Sequence, residues 1–134
     1  MPIPWTKDLS VGVKEIDEQH QEFVKILNSL YEVMLEDEPA PELASILKQL
    51  TAYATFHFAT EEKYFDKFKY ALSDEHKNEH KKLLDQIGVF NKRFETEGEN
   101  VLSELLSFLE DWLVDHLSVQ DHKYTECFNK NGLC

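Results

Sequence analysis

Two pairs of residues in this chain stand four positions apart and carry metal-binding side chains: His57 with Glu61, and His76 with His80. On a helix that step turns through only roughly 40°, so each pair aims both side chains the same way. Three further residues of the same chemistry, His20, His116 and Asp121, lie near the ends of helical patterns. A single histidine on an apolar stripe is more often a hydrogen-bonded core residue than a ligand. A lone HxxxH is equally a surface pair or a zinc clamp. Five of the six histidines joining apolar stripes is a different matter. Burying that many imidazoles beside two carboxylates is costly unless a cation satisfies them. Five nitrogens and two carboxylates exceed the four ligands of a tetrahedral zinc and suit two six-coordinate ions bridged by carboxylate. Imidazole-rich sites accept iron, zinc, copper or nickel, so ligand type leaves the metal open. His122 is read as facing solvent or standing behind the ligands.

The elements that must position these groups are helices. Apolar residues recur at three- and four-residue steps in four segments: Phe23, Ile26, Leu27, Leu30, Met34; Leu43, Ile46, Leu47, Leu50, Tyr53, Ala54; Leu83, Leu84, Ile87, Phe90, Phe94; and Leu102, Leu105, Leu109, Trp112, Leu113. That is the period of a helix with one buried stripe. Breaks fall at Pro39 and Pro41, at Lys69-Tyr70-Ala71-Leu72-Ser73 with Ser73 as N-cap, and at Gly98. The prediction is an all-α, up-down-up-down antiparallel four-helix bundle forming a single domain over 1–134. An N-terminal arm over 1–17, extended by Pro2 and Pro4 and carrying Trp5, packs along a bundle over 18–130. In that topology His20 is early in an up helix, His57 late in a down helix, His76 early in the next and His116 late in the last. All four helices deliver ligands to one end. The step from His116 to Asp121 is five residues, roughly 140° on an ideal helix, too far for both to face one site. A local widening of the helix, such as one π-type turn, is therefore expected there.

Composition narrows the function classes. The formal charge is −12, from 14 basic and 26 acidic residues, without a basic stripe; that repels phosphate backbones and argues against nucleic acid. No run approaches the ~18 apolar residues of a membrane span, and the N-terminus has no signal-peptide pattern. Cys127 and Cys134, both in the last eight residues, make no disulfide framework, which fits a reducing, cytoplasmic setting.

Asp17-Glu18-Gln19-His20, His57-Phe58-Ala59-Thr60-Glu61, His76-Lys77-Asn78-Glu79-His80 and Trp112-Leu113-Val114-Asp115-His116 running on to Asp121 resemble, in this order, the hemerythrins, specifically their single-domain bacterial type. The resemblance covers nearly the whole chain. It departs at Lys69-Tyr70-Ala71, where members often have Gly-Tyr-Pro. It implies two iron ions: one held by His76, His80 and His116, the other by His20 and His57. Glu61, Asp121 and an oxo or hydroxo group would bridge them, and the second iron would keep one free position for dioxygen. Trp112 and Leu113 would line an oxygen pocket. The implied activity is reversible dioxygen binding for storage, transport or delivery, without catalysis, with a possible protein recipient of the oxygen. A largely neutral ligand set favours reversible binding over oxygen–oxygen cleavage. The alternatives are an oxygen- or redox-sensing module acting through a separate partner, and a di-iron oxidoreductase consuming peroxide or nitric oxide. Oligomeric state is not readable from the sequence.

Overall fold

A computed structural model describes residues 4–37 and 40–134. Among these there are helices and connecting turns but no strand. Four long helices, α1 (Lys14–Val33), α2 (Ala40–Phe68), α3 (Ser73–Glu97) and α4 (Leu102–Asp115), form the expected four-helix bundle, and a short α5 (Thr125–Lys130) follows. Helix α1 packs against α2 and α4, and α2 against α3.

Each terminus has a local cause. No side chain caps α1 at Val13; instead Asp17 in its first turn accepts from the Val11 backbone N–H at 2.8 Å and the Ser10 hydroxyl at 2.5 Å. A carboxylate there also complements the positive end of the helix dipole. Pro41 falls in the first turn of α2, where the missing N–H has no intrahelical partner to lose. Pro2 and Pro39, also read as breakers, lie outside the described residues. Helix α2 ends in a six-to-one turn: the Tyr70 N–H donates to the Phe65 carbonyl at 3.0 Å, and the two rings meet at 5.1 Å. That turn needs a left-handed residue, and Lys69 supplies it at φ 53°, a conformation glycine adopts more cheaply. So Lys69, standing where the resemblance places glycine, takes a glycine-like backbone. Gly98 closes α3 at φ 59° and ψ −140°, a region open essentially to glycine alone.

Three expectations need correction. Ser73 is the first residue of α3 and caps nothing; Leu72 is at the cap, with no side-chain bond to the helix. Met34 lies past the end of α1 and is 46 % exposed, while Ile16, Val24 and Val33 complete that helix's buried face. Helix α1 starts at Lys14, four residues before the anticipated start of the bundle at 18, and the preceding segment contains a 3-10 turn over Lys7–Leu9. Trp5 and Leu9 do pack against the bundle core.

The apolar interior has two parts. The larger runs along all four helices, and the smaller gathers Val11, Val13, Ile16, Phe65, Tyr70, Tyr124 and Phe128 at one end. Helix α2 contributes Phe58 to the first and Phe65 to the second, with Glu61 between them. The polar cluster occupies that boundary. No helix among the described residues is long and apolar enough to cross a membrane.

Candidate metal centre

The seven residues singled out by spacing are all buried: His20, Glu61 and Asp121 fully, and His57, His76, His80 and His116 nearly so. They form two groups that share their carboxylates. Glu61, His76, His80, His116 and Asp121 bring ligand atoms within 4.8 Å of one another, and so do His20, His57, Glu61 and Asp121. Asp121 faces both: Oδ1 lies 2.9 Å from Nε2 of His76 and of His116, and Oδ2 lies 3.0 Å from Nε2 of His20. Glu61 Oε1 lies 3.2 Å from Nε2 of both His57 and His80.

The helix widens where the five-residue spacing required it. Residues His116–Gln120 form a π-helical turn, closed by the Asp121 N–H donating to the His116 carbonyl five residues back. One extra residue per turn brings His116 and Asp121 onto one face, as the five-residue spacing anticipated.

Two imidazoles are fixed from behind. His57 Nδ1 donates to Gln19 Oε1 at 2.7 Å, while the Gln19 amide donates to the Thr60 hydroxyl at 3.3 Å. His80 Nδ1 donates to Glu62 Oε2 at 2.9 Å. In its neutral form a ring that donates from Nδ1 presents a lone pair at Nε2, and in both residues Nε2 is the atom turned to the cluster. Tyr124, fully buried, donates to Glu61 Oε2 at 2.5 Å. None of these three partners was anticipated. The only sequence signal was adjacency: Gln19 and Glu62 each sit beside a ligand, turned roughly 100° from it towards a neighbouring helix. His122 holds the N-terminal arm, bonding the Ser10 carbonyl at 2.6 Å, so it neither faces solvent freely nor supports a ligand. Trp112 stacks on His116 with centroids 4.3 Å apart and planes inclined 14°, which puts it against the three-histidine group. Leu113 is buried in the main core, together with Phe23 and Phe58, whose rings stand 6.3 and 5.8 Å from that of His57.

Chain-wide comparison bears on what these groups do. The Hemerythrin HHE cation binding domain family matches residues 11–127. The chain belongs to the hemerythrin family. The bacteriohemerythrin of Pseudomonas aeruginosa is 32 % identical over 122 residues, covering 91 % of this chain and 78 % of the relative. That of Clostridium acetobutylicum is 27 % identical over 126 residues, covering 91 % and 98 %. A hemerythrin-like protein of Naegleria gruberi is 31 % identical over 124 residues, covering 92 % and 91 %. The crystal structure of wild-type hemerythrin superposes with a TM-score of 0.87 at 29 % identity, over 95 % of this chain and 98 % of that one.

The side chains suit the metal pair of a hemerythrin. His20 Nε2, His80 Nε2, Glu61 Oε1 and both Asp121 oxygens are buried without a hydrogen-bond partner, although they lie close to one another. Nε2 of His76 and His116 face each other at 3.1 Å. Metal–nitrogen bonds of about 2.1 Å set neighbouring ligand atoms about 3.0 Å apart at right angles and about 3.4 Å apart in a tetrahedron. The separations of 2.9 to 3.2 Å match the right-angled, six-coordinate case. Electrostatics agree. Burial disfavours the Glu61 and Asp121 carboxylates, yet the surrounding imidazoles hold both below the usual carboxylate range. For His80, burial lowers the pKa, but Glu61 and Glu62 outweigh it and raise it to about 9. His20 is raised against its burial by Asp121, while burial keeps His57 lowered. Without a cation, protons balance the two anions. A non-haem di-iron site fits this donor set.

Proposed function

We propose that this protein binds dioxygen reversibly at a di-iron centre for storage, transport or delivery, as a binding protein and not a catalyst. His76, His80 and His116 would hold one iron and His20 and His57 the other, with Glu61 and Asp121 shared between the two groups. The observation that carries this reading is the unequal division of histidines around shared carboxylates. One group offers three histidines and two carboxylates, the other two histidines and the same two carboxylates, so the second would leave an iron more room for a ligand. Bound there, an iron pair would supply the two electrons that dioxygen binding takes.

The chain's own residues do the rest. Gln19 and Glu62 hold the rings of His57 and His80, and such partners typically matter 10–100-fold to metal affinity. Tyr124 fixes Glu61 Oε2, which also lies 4.0 Å from His20 Nε2, while Oε1 turns to His57 and His80. Phe23 and Phe58 form an apolar wall beside His57 that excludes water, and Leu113 belongs to the same core. Trp112 extends that wall from Phe58, 6.0 Å away, over the ring of His116. Two free cysteines accord with a cytoplasmic location, where a separate protein would receive the oxygen.

The test is anaerobic reconstitution with ferrous iron, admission of oxygen and its removal, followed by the visible spectrum. Two irons per chain and a band that appears with oxygen and vanishes without it are expected. Immediate conversion to a stable ferric form, or turnover with peroxide or nitric oxide, would overturn the carrier reading in favour of a sensor or an oxidoreductase.

A further inference from the structure

The two imidazoles held from behind have anchors of different charge. On the three-histidine side, His80 Nδ1 meets the Glu62 carboxylate at 2.9 Å, and no other of the five histidines has a carboxylate at its Nδ1 among the described residues. On the two-histidine side, His57 Nδ1 meets Gln19 Oε1 at 2.7 Å. A neutral chain fixes the directions there. The Thr60 hydroxyl donates to the Phe56 carbonyl at 3.3 Å, so it accepts from the Gln19 amide, and the Gln19 oxygen is left to accept from His57. Lys77, whose charge Glu62 feels, is tied to Asp66 at 2.7 Å and does not neutralise it. A ring that donates to a carboxylate carries more negative charge at Nε2 than one that donates to an amide, and is the stronger donor to a cation. Negative charge behind a ligand favours the higher oxidation state of the metal it binds.

We infer, resting on the di-iron reading above, that Glu62 is a positioning residue which makes the ion beside His76, His80 and His116 the easier of the two to oxidise, while Gln19 keeps the ion beside His20 and His57 the harder. The charge of Glu62 acts through the His80 ring, on the group that already has one histidine more. Dioxygen binding takes one electron from each ion and release returns both, so no other oxidant or reductant enters. On the side with room for the ligand, the neutral Gln19 gives the oxidised ion no added support. That favours return of its electron and release of the gas.

The experiment compares the full chain, loaded at saturating iron, with Glu62→Gln and Gln19→Glu, which change one charge each at constant side-chain length. Iron per chain is counted first, and anaerobic spectroelectrochemistry then resolves two one-electron steps. Glu62→Gln is expected to shift the easier oxidation about tenfold in its equilibrium constant, a rise of about 59 mV for one electron, and to move the harder one less. Gln19→Glu should lower the harder step by a similar amount, drawing the two together. In zinc-loaded protein, which has no redox chemistry, the His80 Nδ1 proton should resonate downfield of that of His57, and Glu62→Gln should move it upfield. Two irons per chain with potentials that stay fixed, or that move equally at both steps, would overturn the inference and leave the proposed function standing. The two ring protons in reversed order would do the same. Fewer than two irons in the unsubstituted chain would overturn the proposed function and this inference with it.

Discussion

Seven side chains at this site were legible from type and spacing, but the groups that aim them were not. A ligand announces itself because histidine and carboxylate on an apolar stripe are expensive to bury. Gln19, Glu62 and Tyr124 are ordinary residues whose role exists only where two helices meet, 38, 18 and 63 positions from the partner they bond. Replacing Gln19 by Leu keeps the volume and removes the acceptor from His57. The expected result, in a chelator-competition titration, is a 10–100-fold weaker second metal with the first almost unchanged. Equal loss at both would mean that Gln19 serves the bundle and not the ring. The histidines also make metal uptake a proton exchange. His80 is raised from 6.5 to about 9 in the metal-free protein, so it carries a proton at pH 7 that a metal must displace. Calorimetry at pH 7 in buffers of different ionisation enthalpy should show at least one proton released per loaded chain. Apparent affinity should climb with pH until about 9. The metal-free fold behaves oppositely, because a group with a raised pKa contributes its stability below pH 6.5 and loses it as pH rises through about 9.

At the scale of elements, the helices and most of their breaks could be read from apolar periodicity, and so could one departure from it. The five-residue step from His116 to Asp121 required an extra residue in the turn, and the π-helical stretch His116–Gln120 provides it. What could not be read were ends set by backbone geometry. Lys69 gives no glycine-like signal, yet it adopts the left-handed conformation that lets Tyr70 close α2. Ser73 gives a capping signal and caps nothing, since Tyr70 and Leu72 already organise the entry to α3 through the bonds to the Ser73 and His76 N–H groups. The widened turn makes its own prediction. Deleting Val119, which is 48 % exposed, removes the extra residue at little packing cost. The helix should regain α-type bonding and, with His116 and Asp121 now four residues apart, keep both side chains on one face. Metal content should stay at two ions per chain while circular dichroism keeps its helical signal. Loss of either ion from a regular helix would show that the π turn does more than absorb the fifth residue of that step.

The whole molecule divides its stability between two interiors, and the candidate metal centre lies on the seam. The larger core holds leucines from all four helices, among them Leu27, Leu47, Leu50, Leu83 and Leu105, and needs no cation to stay dry. The smaller core depends on the chain's two ends meeting. The N-terminal arm is tied to the C-terminal segment where His122 bonds the Ser10 carbonyl, Thr125 that of Val11 and Asn129 that of Gly12. Between them sit buried nitrogens and oxygens that lack hydrogen-bond partners. Removing metal should therefore loosen one end and spare the other. In hydrogen exchange, metal-free protein should lose protection in 57–65 and 116–128 while the amides around Leu47, Leu50 and Leu105 stay protected. Adding metal should restore the first set, and at one hundred times the dissociation constant it should stabilise the fold by about 2.7 kcal/mol, read as a rise in Tm. Unfolding of the entire chain on metal removal would contradict this division, because the leucine-filled core would then depend on a site it does not touch through polar contacts. Uniform protection with and without metal would contradict it from the other side, since the buried imidazoles and carboxylates would be satisfied by protons alone.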